Sequence, residues 1–398
     1  MSDARWVLVP VAQQANGRWV DDVLRDRVAE GALAGRRTFA TEPPRRRVEV
    51  FRGGDLDEEI VSRFYARGWT DGLPIVIPTI GRVEETTRYS PYPAQHVIGE
   101  VDPMAGVATI EKIAINAVMA GCRPEYFPVV LAATRALIDP TFNLRGVQTT
   151  DENVTPLVIV SGPIAAELEI NSGLGVLGPG WQANASIGRA IRLIMQNLGG
   201  GWPGIVSLAG VGQPGRYTMC VAENHTASPW PALHIEAGLA PNDSAVTLMR
   251  AEACVNVTGG LDDLANVMGS ALSAFSLLHG GRVAVLIAPH TARQLAASGH
   301  CKGAVARYLF EHARVRTEDW ERLWIRNEIA ASYGIPPWVE EAIPTGRIPV
   351  VEHAEDIVIF VAGGEASIAQ QVYFPTWGFP ACRVTQRVAL PGDPPADF

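Results

Sequence analysis

Beyond about residue 246 the chain alternates between short apolar runs of strand length and longer segments with helical spacing. Residues 283–288 and 357–362 read as buried strands. Residues 291–298, 303–313 and 318–331 read as helices, and another helix is expected after Gly363-Gly364. Such alternation predicts an α/β fold with a mixed, partly parallel sheet and helices on its faces. Ligands of such sheets bind at the carboxyl ends of strands, which puts His290 and the Gly363-Gly364 loop on the expected active face.

The preceding part divides in two. Residues 1–55 read as an N-terminal accessory segment, with a short strand from Trp6, a charged helix over 20–30, an Arg/Pro linker and a strand over 48–51. Residues 56–245 form a Gly- and Asn-rich core that holds most of the unusual motifs, and 246–398 form the C-terminal α/β region. A helix over 56–67 runs into an Asp71-Gly72 turn and an apolar strand over 75–77.

The 398 residues are 47% hydrophobic and 19% charged, which describes a globular chain with a substantial core. A net charge of −9, with only one short basic cluster at Arg45-Arg46-Arg47 and no aromatic-interleaved basic run, argues against nucleic acid as a partner. No apolar run reaches the length of a membrane span, and the N-terminus lacks the apolar stretch of a signal peptide. Five scattered cysteines without a C-x-x-C pair fit free thiols, so a cytoplasmic location is expected.

Of the 33 basic residues only Lys112 and Lys302 are lysine. Lys302 reads as a solvated charge at a helix start. Lys112 stands in a helix expected over 109–120 that is apolar nearly all round, with Asn116 one turn on and Glu111 beside it. A buried ammonium needs a partner, so Lys112 either faces a ligand or forms a buried Lys–Glu pair. A second stripe, Ser186, Arg189, Arg192 and Gln196, follows Gly178-Pro-Gly180, and its helix start with added cations favours an anion. Residues 108–114 align with 185–191, which suggests a short internal repeat with Thr109 and Ser186 as caps and Lys112 and Arg189 as equivalents.

Cys122 follows Gly121, adjoins Arg123 and precedes a helix start at Pro124. It reads either as an activated thiolate or as a small buried apolar residue. The other four cysteines read as core. If 217–225 and 232–236 are strands of a hairpin, Glu223, His225, His234 and Glu236 share a face, where they form either a divalent metal site or an ordinary polar hairpin. The Gly-rich stretches over 173–180, 197–204 and 210–215 fit neither a P-loop nor a dinucleotide fingerprint and read as tight turns. No G-x-S-x-G elbow is present.

Four segments, W-T-D-G-L-P-I-V-I-P-T from Trp69, E-K-I-A-I-N-A-V-M-A-G-C-R-P-E-Y from Glu111, A-N-A-S-I-G-R-A from Ala183 and A-E-N-H-T-A-S-P-W from Ala222, resemble a bacterial family that accompanies the UGSC-type cysteine/selenocysteine proteins. The resemblance covers residues 60–390 and implies thiol- or selenol-linked chemistry on a small molecule. The chain departs from it in lacking the U/C-G-S-C signature itself.

The leading expectation is a cytoplasmic, homo-oligomeric enzyme of lyase or hydrolase type, acting on a small anionic metabolite without an organic cofactor or a resident metal. Lys112, Asn116 and Arg189 would bind substrate, with Arg123, Asn184, Ser186, Asn224 and His225 around them. Cys122 would be nucleophile or acid/base, and Glu111 or Glu223 would move protons. The alternatives are a metal-dependent enzyme built on the Glu/His cluster and a non-catalytic binding or assembly protein.

Overall fold

The helix Ile110–Ala120 is buried on every side. Thr109 caps it, its Oγ1 accepting the Lys112 N–H at 3.2 Å. Gly121 ends it in the left-handed region at φ 86°, which disfavours any residue with a Cβ. A helix with no solvated face must be covered all round. The computed structural model shows how, describing residues 5–30, 47–51, 56–365, 368–379 and 382–393.

On one side lies β1 (Arg5–Leu8), paired antiparallel with β2 (Val48–Phe51). Its continuation through Val9, Val11 and Ala12 is fully buried in the main core. The hairpin of β3 (Val97–Val101) and β4 (Gly106–Thr109) leads into the 110–120 helix. On the other side pack the helices Phe127–Ile138 and Gln182–Asn197. Gly188 lets the latter approach residues 218–219, where a Cβ would stand 2.2 Å from Thr218 Oγ1.

The remaining strands are β5 (Thr155–Ser161), β6 (Cys220–Ala222), β7 (Ala245–Ala251), β8 (Val255–Thr258), β9 (Val283–Ile287), β10 (Arg314–Arg316), β11 (Arg347–Pro349), β12 (Ile357–Val361), β13 (Gln370–Phe374) and β14 (Val384–Arg387). Strands β10 and β11 form a small antiparallel pair. The rest form two four-stranded sheets, ordered β14-β7-β5-β6 and β12-β9-β13-β8. Both sheets follow one plan. A parallel pair, β5 with β6 or β9 with β12, lies at one edge. An antiparallel strand, β7 or β13, follows on the other side of β5 or β9. The fourth strand is β14, from the far end of the chain, beside β7 in one sheet, and β8 beside β13 in the other.

Alternation along the strands sorts side chains to the two faces of each sheet. Leu157, Ile159, Val221 and Met249 of the first sheet meet Ala284, Leu286, Val358 and Phe360 of the second. The outer face of the first sheet, with Val158, Val160, Val246 and Leu248, carries the 110–120, 127–138 and 182–197 helices. The outer face of the second, with Val283, Val285 and Ile359, carries the helices Leu261–Met268 and Lys302–His312. The layers therefore run helix, sheet, sheet, helix. This is the α/β class expected from the alternation, with mixed sheets. Among the described residues no helix is long and apolar enough to cross a membrane.

Several local expectations differ. No helix follows Gly363-Gly364 among the described residues; β13 does, its Tyr373 and Phe374 filling cores on opposite faces. The helix expected over 318–331 is broken into Thr317–Trp320, a π-turn at Ile325–Ile329 and Ala330–Tyr333. Residues 75–77 are extended but join no named strand; Val76 N donates to Met119 O at 3.3 Å. The proposed hairpin is absent, because Leu233–Glu236 is a helical turn whose Leu233 N–H is held by the Glu223 carboxylate at 2.7 Å. The internal repeat is not borne out. Thr109 is a true cap, whereas Ser186 lies inside a helix whose N-cap is Trp181, and its Oγ donates to Gln182 O.

Candidate functional site

A cavity of about 1280 Å³ opens between the turn at residues 65–72 and the loop at 202–217. Its floor includes Arg192 and Gln196 of the 182–197 helix. Arg25, Arg67 and Arg216 add three more guanidinium groups to the lining, and Asp71 is the single carboxylate among the described lining residues.

The wall formed by the turn is fixed by polar contacts from the helix. Asp71 Oδ2 and Oδ1 accept from Arg189 Nε and Nη2 at 2.7 and 2.8 Å, a two-pronged pair on a side chain only 4% exposed. Gln196 Nε2 donates to Gly68 O and Thr70 O, both at 2.8 Å, and Asn197 Nδ2 donates to Trp69 O at 2.9 Å. The turn beginning at Trp69 is thus tied to the helix beginning with Q-A-N-A-S-I-G-R. The opposite wall is pinned by Gly210 N to Asp151 O, Gly212 N to Asn153 Oδ1 and Gln213 Nε2 to Asn153 O.

Arg25 pairs with Asp21 and Asp22 at 2.9 and 3.0 Å, and Arg67 meets Glu49 at 3.5 Å. Arg192 and Arg216 have no carboxylate at ion-pair distance among the described residues. Arg192 Nη2 donates to Gly201 O at 2.9 Å, and Arg216 Nη2 donates to Ser207 Oγ at 2.7 Å. Burial first, and then the neighbouring Arg216, push Arg192 down to about 10 against the charge of Asp71, so it remains a cation at neutral pH. Burial also lowers Arg216, against the nearby Glu252. Glu252 is raised from its ordinary 4.5 to about 8, by burial first and then by Glu152, and is neutral near pH 7. Two cations therefore stand on this cavity with no carboxylate at ion-pair distance among the described residues, while Asp71 acts on Arg192 and Glu252 on Arg216 from farther off.

The residues singled out in the sequence fall into three groups elsewhere. Lys112 is buried, its Nζ donating to Val9 O at 2.6 Å and lying 5.1 Å from the Trp19 ring centre. Asn116 donates to Pro10 O and accepts from Asn197 Nδ2, and Glu111 is buried beside them. Cys122 sits with Ser186 and Arg189. Burial pushes its thiol up to about 12, despite the Ser186 hydrogen bond and the charge of Arg189. Arg123 is at the surface on Gln182, and Asn184 ties Asn171 O to Cys220 O through its amide. The segment around Gly178-Pro-Gly180 is exposed, and no side chain lies within 4 Å of where a Gly180 Cβ would be.

The third group surrounds Lys302, which is only 12% exposed rather than a solvated charge. Its Nζ is 2.8 Å from Glu236 Oε1 and 3.8 Å from Glu223 Oε1. Glu223 Oε2 also accepts from Ser161 Oγ at 2.6 Å. Its carboxyl is raised by burial, against Lys302, Ser161 and the Leu233 N–H. Asn224 Oδ1 closes a turn with Ala227 N, and His225 and His234 lie nearby. No group of three or more His, Cys, Asp or Glu among the described residues could hold a metal ion. His290 is exposed beyond β9. Cys254 and Cys301 are exposed, contrary to a core reading of both.

Of the sequence-selected stripe, Arg192 and Gln196 line the cavity directly and Arg189 holds its wall. Arg25, Arg67, Arg216, Trp202 and Tyr217 were not anticipated. Arg216 directly follows the 210–215 glycine-rich stretch, and that adjacency was the available signal. Compared with known proteins, the chain matches no family model and no curated protein sequence.

Proposed function

We propose that the chain is an enzyme that captures a small anionic metabolite in the arginine-lined cavity and acts on it by acid–base chemistry of the lyase or hydrolase type. The observation that carries this reading is the Arg192–Arg216 pair, two guanidinium groups on one cavity with no carboxylate partner. An uncompensated cation in a partly buried setting is costly unless an anion joins it. A guanidinium fork suits carboxylate or phosphate oxygens. Asp71, oriented by the two bonds from Arg189, is the group placed to take a proton from a bound substrate. Cys122 has no part in this reading, since it is not on the cavity lining and its desolvated thiol is pushed up to about 12.

The test is binding of inorganic phosphate and of succinate by calorimetry to the full chain and to Arg216→Gln. Binding that disappears in the variant supports the reading, and failure of both anions to bind the native chain overturns it. Once a turned-over substrate is found, Asp71→Asn should bind it and not convert it. Equal turnover by Asp71→Asn would remove the general-base assignment.

A further inference from the structure

The same cavity has a second character. Four large apolar side chains on its lining are exposed: Tyr65 at 68%, Ile205 at 44%, Val211 at 93% and Tyr217 at 50%. Large apolar side chains gathered on one concavity, rather than scattered, mark a surface that a ligand covers. The cavity is also larger than the roughly 300–1,000 Å³ of most small-molecule sites. A bare inorganic anion would leave most of it empty.

The charged groups are not spread in the same way. Arg25 and Arg67 have acidic partners, and Asp71 is paired with Arg189. The guanidinium groups without an ion-pair partner among the described residues are therefore Arg192 and Arg216, which line the cavity together, with Asp71 acting on Arg192 from farther off. Two adjacent forks with two positive charges match a single group with two negative charges and several oxygens. A monocarboxylate would leave one cation uncompensated, and a dicarboxylate would carry its second charge away from the pair.

Resting on the anion-site reading above, we propose that the substrate is a phosphate monoester with an apolar, ring-bearing body. Its dianionic head would be held by Arg192 and Arg216, and its body would lie against Tyr65, Val211 and Tyr217.

The experiment is calorimetric binding of inorganic phosphate, phenyl phosphate, succinate, benzoate and benzyl alcohol to the full chain. Phenyl phosphate should bind at least about tenfold more tightly than inorganic phosphate, since burying one ring against apolar walls is worth more than 1.4 kcal/mol. Benzyl alcohol should not bind measurably. Arg216→Gln should weaken phenyl phosphate by roughly 10- to 100-fold, the range for a charged hydrogen bond. Arg192→Lys, which keeps the buried charge but not the fork, should weaken it by less. Tyr65→Ser with Val211→Ser, both on exposed side chains that fold should tolerate, should weaken phenyl phosphate and leave inorganic phosphate unchanged. If succinate or benzoate binds as tightly as phenyl phosphate, or the mouth variant loses nothing, the phosphate-ester proposal fails and the anion site stands. If no anion binds and Arg216→Gln changes nothing, the anion site fails with it.

Discussion

Two networks of buried polar groups meet at the 182–197 helix, and they end differently. On the side of the 110–120 helix, the side-chain donors finish on the protein itself: Lys112 on Val9 O, Asn116 on Pro10 O and Asn197 on Trp69 O and Asn116 Oδ1. On the other side, Arg192 and Arg216 each reach one neutral oxygen and keep their charge uncompensated at the cavity. Lys112, Asn116, Asn197 and Arg192 are all buried, and Arg216 is half-buried. What distinguishes the two networks is enclosure: the Lys112 ammonium lies against the Trp19 ring on a helix buried all round, whereas Arg192 and Arg216 line an open cavity that a ligand can enter. Lys112 fastens the first strand to the core, and Arg192 waits for something else.

The largest expected effect lies in the closed network. Lys112→Met removes a charged hydrogen bond and a buried cation–π contact, and leaves Val9 O unanswered. Together these should cost about 3 kcal/mol of stability in urea unfolding. Lys112→Arg should also destabilise, because every residue of that helix is buried and the longer fork has no room. If Lys112→Met kept full stability and lost anion binding, the contrast between the networks would collapse.

Next comes the open network. Arg216→Gln should abolish most anion affinity, a loss of about 1.5–3 kcal/mol in binding. Its unfolding free energy should stay within about 1 kcal/mol of the native chain, because no ion pair is broken. Lys112→Gln in the closed network should show the reverse pattern, with stability lost and anion binding kept.

These two networks were unequally legible in the sequence. The 110–120 helix, with Thr109 before it, Gly121 after it and apolar residues between, announces itself through local rules of capping and periodicity. The strands β9 and β12 are visible for the same reason, as apolar runs between turn residues. Partners are not local. Nothing in the order of residues tells that β14 joins β7, or that β8 crosses to β13. The Lys112 context looked like a ligand site because an unpaired ammonium is implausible, yet its answer, Val9 O, lies in a segment that reads as an accessory. The cavity was hidden for a related reason. It is assembled from a turn, one helix face and an irregular loop, and the loop carries no period from which an inward-facing arginine could be read. Lys302 was misjudged likewise, since Glu223 and Glu236 come to it from elsewhere in the chain.

A smaller effect separates the networks by pH. Glu252 titrates near 8 in the folded chain against an ordinary value of 4.5. The folded state therefore binds its proton more tightly than the unfolded state does between those values, and stability should fall as pH rises from about 5 to 8. The groups acting on it are Glu152, the Asn153 N–H and Arg216. Ionised Glu252 would also supply Arg216 with the counter-charge it lacks, so anion affinity should drop several-fold above pH 8. Glu252→Gln should flatten both profiles and bind inorganic phosphate at pH 9 as well as at pH 7. An unchanged alkaline loss in that variant would place the titrating group elsewhere.

The smallest effect is expected at Cys122, and its smallness is what makes it useful. The residue is half-buried, desolvation pushes its thiol up to about 12, and it is not among the residues that line the cavity. Cys301 is the opposite case. It is exposed at the start of the 302–312 helix, where the Ala304 amide and its neighbours lower the thiol. Brief alkylation of the native chain followed by peptide mass mapping should label Cys301 first and leave Cys122 and the buried Cys220 untouched until the chain is unfolded. Cys122→Ala should cost no more than about 1 kcal/mol, since one sulfur is lost from a well-packed site. Its affinity for phenyl phosphate should equal that of the native chain. Rapid labelling of Cys122 protected by phenyl phosphate would put a reactive thiol inside the site, and the boundary between the closed and open networks would have to be redrawn around it.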